Sequence, residues 1–129
     1  MLATRRTVLS LSAAALVAIP AAGAGTPLHC AIAELRAAQA LIREPSPAHL
    51  TGDRDDEYNA ALADLEDGAY EAIGRAPAQS LTELRVKIVL MLEAMGDRVN
   101  ARDGFFGAGD AALAVLIAGT EADIARLIP

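Results

Sequence analysis

His29, Cys30 and His49 are the only imidazole or thiol side chains in the sequence, so any transition-metal site has to be built around them. A structural zinc ion takes four good ligands, and a catalytic one takes three plus water. His29 and Cys30 are adjacent, and neighbouring side chains on a helix point about 100° apart. The two therefore diverge. His49 lies in the proline-bounded stretch PSPAHLTG, and nothing in the pattern brings it to the other two. The expectation is a chain with no metal site and no cofactor.

Carboxylates offer the second possibility. Thr51-Gly52-Asp53-Arg54-Asp55-Asp56-Glu57 is the most charged stretch. Counted from Asp53, the residues Asp55, Glu57 and, at the twelfth position, Asp64 supply oxygens where a calcium loop wants them. The sixth position, where such a loop turns on a glycine, is Tyr58. Acids at a helix start are a simpler reading, since each favours the positive end of the helix by roughly 0.3–1 kcal/mol when exposed. Asp64, Glu66, Asp67 and Glu71 continue the acidity. Asp67 and Glu71 lie four apart on one face and repel slightly; a solvated outer surface is the expected reading, and attraction of a cation or a basic partner is the alternative.

The search for a nucleophile is empty. No glycine-flanked serine elbow occurs, and neither histidine has a carboxylate placed to orient it. Gly104, Gly107 and Gly109 approximate a phosphate loop, but no lysine follows and no strand precedes them. No catalytic residue is assigned, and the chain is not expected to be an enzyme.

The N-terminal stretch MLATRRTVLSLSAAALVAIPAAGAG carries an address. Arg5 and Arg6 form a positive n-region, Val8 to Ile19 an apolar h-region, and Ala22-Gly23-Ala24 a small-residue cleavage site. The h-region spans about 18 Å as a helix, against about 30 Å of bilayer hydrocarbon. A cleaved signal over residues 1–24 therefore fits, with residues 25–129 as a single helical domain in the periplasm or outside the cell. An uncleaved inner-membrane anchor is the alternative. Thr4-Arg5-Arg6-Thr7-Val8-Leu9 also resembles the twin-arginine export motif, with Val8 for the commoner Phe and Ser10 for the Lys often found next. That route and the general secretory route both remain open, and export machinery would engage Arg5 and Arg6.

Charge narrows the partners. The chain has 17 acidic and 11 basic residues and a net charge of −6, and losing the two leader arginines makes it more acidic still. Nucleic-acid affinity comes largely from Lys and Arg displacing counterions, and Tyr58, Tyr70, Phe105 and Phe106 are the only aromatics on which bases could stack. No nucleic-acid binding is expected. Cys30, the lone cysteine, is buried, free or paired with a second chain; Pro27-Leu28-His29 before it argues against lipid attachment.

The elements that would position all of this read as helices. Leu28, Ile32, Leu35 and Ile42 form one stripe before Pro45-Ser46-Pro47; Tyr58, Leu62, Leu65, Ala69 and Ile73 form a second before Gly74 to Pro77. Ser80-Leu81-Thr82-Glu83 predicts a capping box with reciprocal Ser80 and Glu83 hydrogen bonds. Leu84, Ile88, Met91, Leu92, Met95 and Val99 then read as an inward face. Val86, Val89 and Leu90 widen it, which suggests the central helix of a bundle. Phe105 and Phe106 read as a plug at one end of the bundle. Asp110 can cap a last helix carrying Leu113, Leu116, Ile117, Thr120, Ile124 and Leu127; Gly119, with Thr120 to Asp123 behind it, could break it, and one helix is expected. The fold expected is all-α, a small antiparallel bundle of about four helices after an N-terminal signal helix.

Within AIGRAPAQSLTELRVKIVLMLE, the residues Pro77-Ala78, Ser80-Leu81, Leu84 and Lys87 resemble a pattern of short, uncharacterised alphaproteobacterial helical proteins that often carry a twin-arginine-like leader. Those proteins commonly have Gly where this chain has Glu83, and often Thr at Ser80. The resemblance implies a helix–turn–helix around Pro77 and no activity. The function expected is that of an exported helical protein that binds or self-associates, as a homo-oligomer or with an envelope partner. Val86, Val89, Leu90 and Val115 are either core or interface. A periplasmic carrier of a metal or small molecule and a membrane-anchored accessory protein are the alternatives.

Overall fold

A computed structural model describes residues 25–100 and 108–129. The leader with Arg5 and Arg6, and Gly104, Phe105, Phe106 and Gly107, lie outside the described residues. Those described form four helices: α1 Pro27–Arg43, α2 Asp53–Arg75, α3 Leu81–Asn100 and α4 Asp110–Leu127. No strand occurs among them. The fold is an all-helical small bundle.

Local chemistry sets the boundaries. Thr26 caps α1, its hydroxyl accepting the His29 N–H at 3.3 Å, with Pro27 in the first turn where its missing N–H is not needed. Glu44, extended ahead of Pro45, ends it. α2 starts at Asp53, upstream of the Tyr58 that opens its apolar stripe. Gly52 precedes it at φ 57, a conformation suited to glycine, and Asp53, Asp55 and Asp56 occupy the positive first turn. The Glu83 N–H donates to the Ser80 hydroxyl at 3.1 Å as the capping box requires. The return bond differs: the Glu83 carboxylate accepts from the Gln79 N–H, at 2.6 Å. Asp110 is the first residue of α4, and its expected capping place is held by Gly109. That glycine's N–H donates to Asp67 of α2 at 2.8 Å, so the cap comes from another helix.

α2 packs against both α1 and α4, and α3 packs mainly on α4. The central helix is thus α2, not the α3 expected from its broad apolar surface. Thr26–Glu83 and Arg36–Glu93 join α1 to α3 at the same sequence separation of 57, so these two helices run side by side in the same direction. The core gathers Leu28 and Leu35 of α1, Tyr70 and Ile73 of α2, Leu90 and Ala94 of α3, and Leu116 of α4.

α4 runs unbroken through Gly119. A Cβ there would fall 1.8 Å from the Gly74 carbonyl oxygen, and one on Gly74 would fall 2.6 Å from the Val115 carbonyl oxygen. The two glycines therefore let α2 and α4 cross backbone to backbone. The inward face of α3 is also rotated from the expected row. Leu84, Lys87, Leu90 and Ala94 are buried, whereas Leu92 is 58% and Met95 41% exposed. On α4, Ile124 points outward and Asp123 inward. Apolar residues cover so much of both helices that periodicity could not choose the row. A buried ion pair between them chose it.

Candidate functional site

Lys87 is wholly buried. Its ammonium donates to Asp123 Oδ2 at 2.6 Å, to the Ala76 carbonyl at 2.9 Å and to the Gly74 carbonyl at 3.3 Å. An ammonium has three protons, and all three are used. Gly74 and Ala76 lie at the C-terminal, negative end of α2, where carbonyls lack intrahelical partners. Asp123 Oδ2 also accepts the Ala78 N–H at 3.1 Å, and Oδ1 accepts from Arg126 at 2.9 Å. Arg126 reaches the Ala78 carbonyl as well.

Burial pushes the Asp123 carboxyl up, but the hydrogen bonds from Lys87, the Ala78 amide and Arg126, with the charge of Lys87, outweigh it. The group is held below the ordinary aspartate value. Beside this knot, Glu83 Oε1 accepts the Thr26 hydroxyl at 2.8 Å. One end of the bundle is therefore locked by charges that join the starts of α1 and α3 to the ends of α2 and α4. The ammonium has no proton left to donate, and the carboxylate already accepts three hydrogen bonds. This cluster holds the fold together.

The sequence-derived candidates are dispersed. His29 is exposed at the start of α1, and His49 is exposed beyond its end, with a helix about 25 Å long between them. Cys30 is half-buried and lines an open hollow together with Pro27, Glu34, Arg75 and Pro77. Asp53, Asp55, Glu57 and Asp64 lie on one continuous helix; Asp53, Glu57 and Asp64 share a face but are strung along about 16 Å of it, and Asp55 points to the other side, so they do not close around an ion. Asp67 caps α4 and Glu71 pairs with Arg75 at 3.1 Å, so these two are not the plain solvated pair expected. Among the described residues, no three His, Cys, Asp or Glu side chains come together as a metal site.

An open surface remains. The outer side of α3 exposes Leu81, Val86, Val89, Leu92 and Met95, at 62%, 39%, 47%, 58% and 41%. Beside it a groove of about 350 Å³ runs between α1 and α3, walled by Ile32, Arg36, Thr82, Arg85, Val86 and Val89. Arg36 forks onto Glu93 across one end of it, both bonds 3.3 Å. Of the residues that fit either core or interface by sequence, Val86 and Val89 lie on the surface and Leu90 lies in the core. Sequence pattern hides the exposed row because Leu92 and Met95 read as core. Lys87, on the same helical row as Leu84, is the signal that corrects it. No helix among the described residues is long and apolar enough to cross a membrane.

No protein-family model, curated protein or solved structure matches the chain.

Proposed function

We propose that this chain is a small exported helical protein that acts by binding, through the outer side of α3, within the cell envelope. The observation that carries the reading is the apolar row Val86, Val89, Leu92 and Met95 on a helix whose opposite side is already anchored by Lys87. Scattered apolar residues on a surface need no explanation, but a continuous row beside an apolar groove is the ordinary mark of an interaction site. Arg36 and Arg85 line the groove and Glu93 pairs with Arg36 beside it, so this wall is basic on balance although the chain as a whole carries −6. The resemblance around Pro77 and the leader residues Arg5 and Arg6 agree with an exported bundle and imply no chemistry.

Two measurements test this. The intact mass of the protein from its producing cells should begin at Gly25; a full-length mass would replace the exported form with an anchored one. Leu92→Cys and Glu121→Cys, each in a Cys30→Ser background, should then be labelled in intact envelopes with a thiol reagent. Shielding at 92 with free labelling at 121 supports the binding face, and equal labelling overturns it.

A further inference from the structure

We infer that the groove between α1 and α3 is a small-molecule site for a single-chain anionic amphiphile, a dispersed long-chain carboxylic acid. Its tail lies along the groove and its carboxylate sits on Arg85. This site is separate from the exposed row that carries the proposed binding role. Val86 and Leu92 lie about 120° apart around α3, and the groove opens on the Val86 side, toward α1.

The groove exists because two helices are held side by side without close packing. α1 packs closely on α2, and α3 on α4, but the backbones of α1 and α3 stand apart. Two polar bridges span the gap, Thr26 to Glu83 at one end and Arg36 to Glu93 at the other. The bridges are ten residues apart on each helix, about 15 Å at 1.5 Å per residue. Between them Ile32 of α1 and Val86, Val89 and Leu90 of α3 line a space of about 350 Å³. Small-molecule sites are mostly apolar clefts of about 300–1,000 Å³ with a few placed polar groups, and this one lies at the small end. Its length suits a flexible chain. An extended chain advances about 1.2 Å per bond, so about twelve carbons fill it.

Charge gives the ligand its direction. At one end Arg36 is already occupied: it donates to Glu93, and also at 2.8 Å to Gln39, which is 5% exposed and bonded to the buried Tyr70. That end is neutral and fixed. At the other end Thr82 and Arg85, three apart on one face of α3, are exposed. Arg85 has no hydrogen-bond or ion-pair partner among the described residues, and its guanidinium fork matches a carboxylate. Thr82 lies in the first turn of α3, at the positive end of the helix. Glu83, the acid of that turn, is turned away, onto the Thr26 hydroxyl and the Gln79 N–H. A carboxylate head therefore meets a free cation with an apolar trough running away from it. A cationic head meets like charge instead, so the same arginine rejects it.

The test is isothermal titration calorimetry of the purified protein with octanoate, decanoate, dodecanoate and tetradecanoate, each below its micellar concentration. Affinity should rise about two- to fourfold per added methylene as the tail is buried, and level off beyond dodecanoate, where the tail passes the Arg36–Glu93 bridge. Arg85→Ala changes an exposed side chain and should weaken dodecanoate about fivefold or more while leaving the melting temperature unchanged. Dodecyltrimethylammonium should bind about tenfold more weakly than dodecanoate. No binding of dodecanoate, equal binding to the parent and Arg85→Ala, or equal binding of the cationic analogue overturns the inference. Position 92 lies outside the groove, so such a failure leaves the binding role of the outer side of α3 to its own labelling test.

Discussion

Replacing Lys87 by Met asks how far the fold depends on one ammonium. Methionine fills much of the lysine stem, so the change removes charge with little change of volume. It leaves Asp123 buried with the Ala78 amide and the half-exposed Arg126, and it strips a donor from the carbonyls of Gly74 and Ala76. Breaking a buried pair by removing one partner costs about 3–5 kcal/mol, and Arg126 places this case near the lower end. Domains of this size have about 5–15 kcal/mol in total, so the loss is a large fraction of it. With a urea slope of roughly 1–3 kcal/mol per molar, the midpoint in far-UV circular dichroism should fall by about 1–3 M. Lys87→Met with Asp123→Leu removes both charges and should recover all but about 1–2 kcal/mol, because a buried pair is often replaceable by apolar residues. A single variant within about 1 kcal/mol of the parent would refute the argument that this buried pair anchors the fold.

Asp123 also predicts an acid profile. Its folded pKa lies below the unfolded value, so its contribution is fully present above the ordinary aspartate range and is lost as pH falls through the lowered value. Urea midpoints measured from neutral to strongly acid pH should fall more steeply for the parent than for Asp123→Asn. Gly119→Ala should destabilise by at least about 2 kcal/mol, since its Cβ meets backbone at 1.8 Å and backbone cannot rotate away. Gly68→Ala meets nothing within 4 Å and should stabilise by about 0.5–1 kcal/mol through helix propensity; thermal melts of the two side by side check the contrast. Asp67→Ala removes the cap of α4 and should cost about 1 kcal/mol, read in the same melts.

The helices are legible in the sequence because their caps and breakers are local. Ser80, Glu83 and Pro45 act on residues within a few positions, and periodicity supplies the rest. What escapes is tertiary. Asp67 caps a helix whose start lies 42 residues away, and Lys87 meets Asp123 across 36 residues; no spacing rule links such positions. Gly119 reads as a potential break because sequence cannot reveal that another backbone passes beside it. The rotation of α3 has the same origin: with apolar residues on most of its surface, only the partner of Lys87 fixes which side faces in. The binding face thus becomes visible only once the core has been subtracted.

The most direct test of a binding role for the outer side of α3 is thiol labelling in intact envelopes at position 92 against position 121, each cysteine introduced in a Cys30→Ser background. Position 92 stands in the exposed apolar row of α3 and position 121 on the exposed side of α4. Shielding at 92 with free labelling at 121 is the predicted result. Equal labelling at the two positions would contradict it.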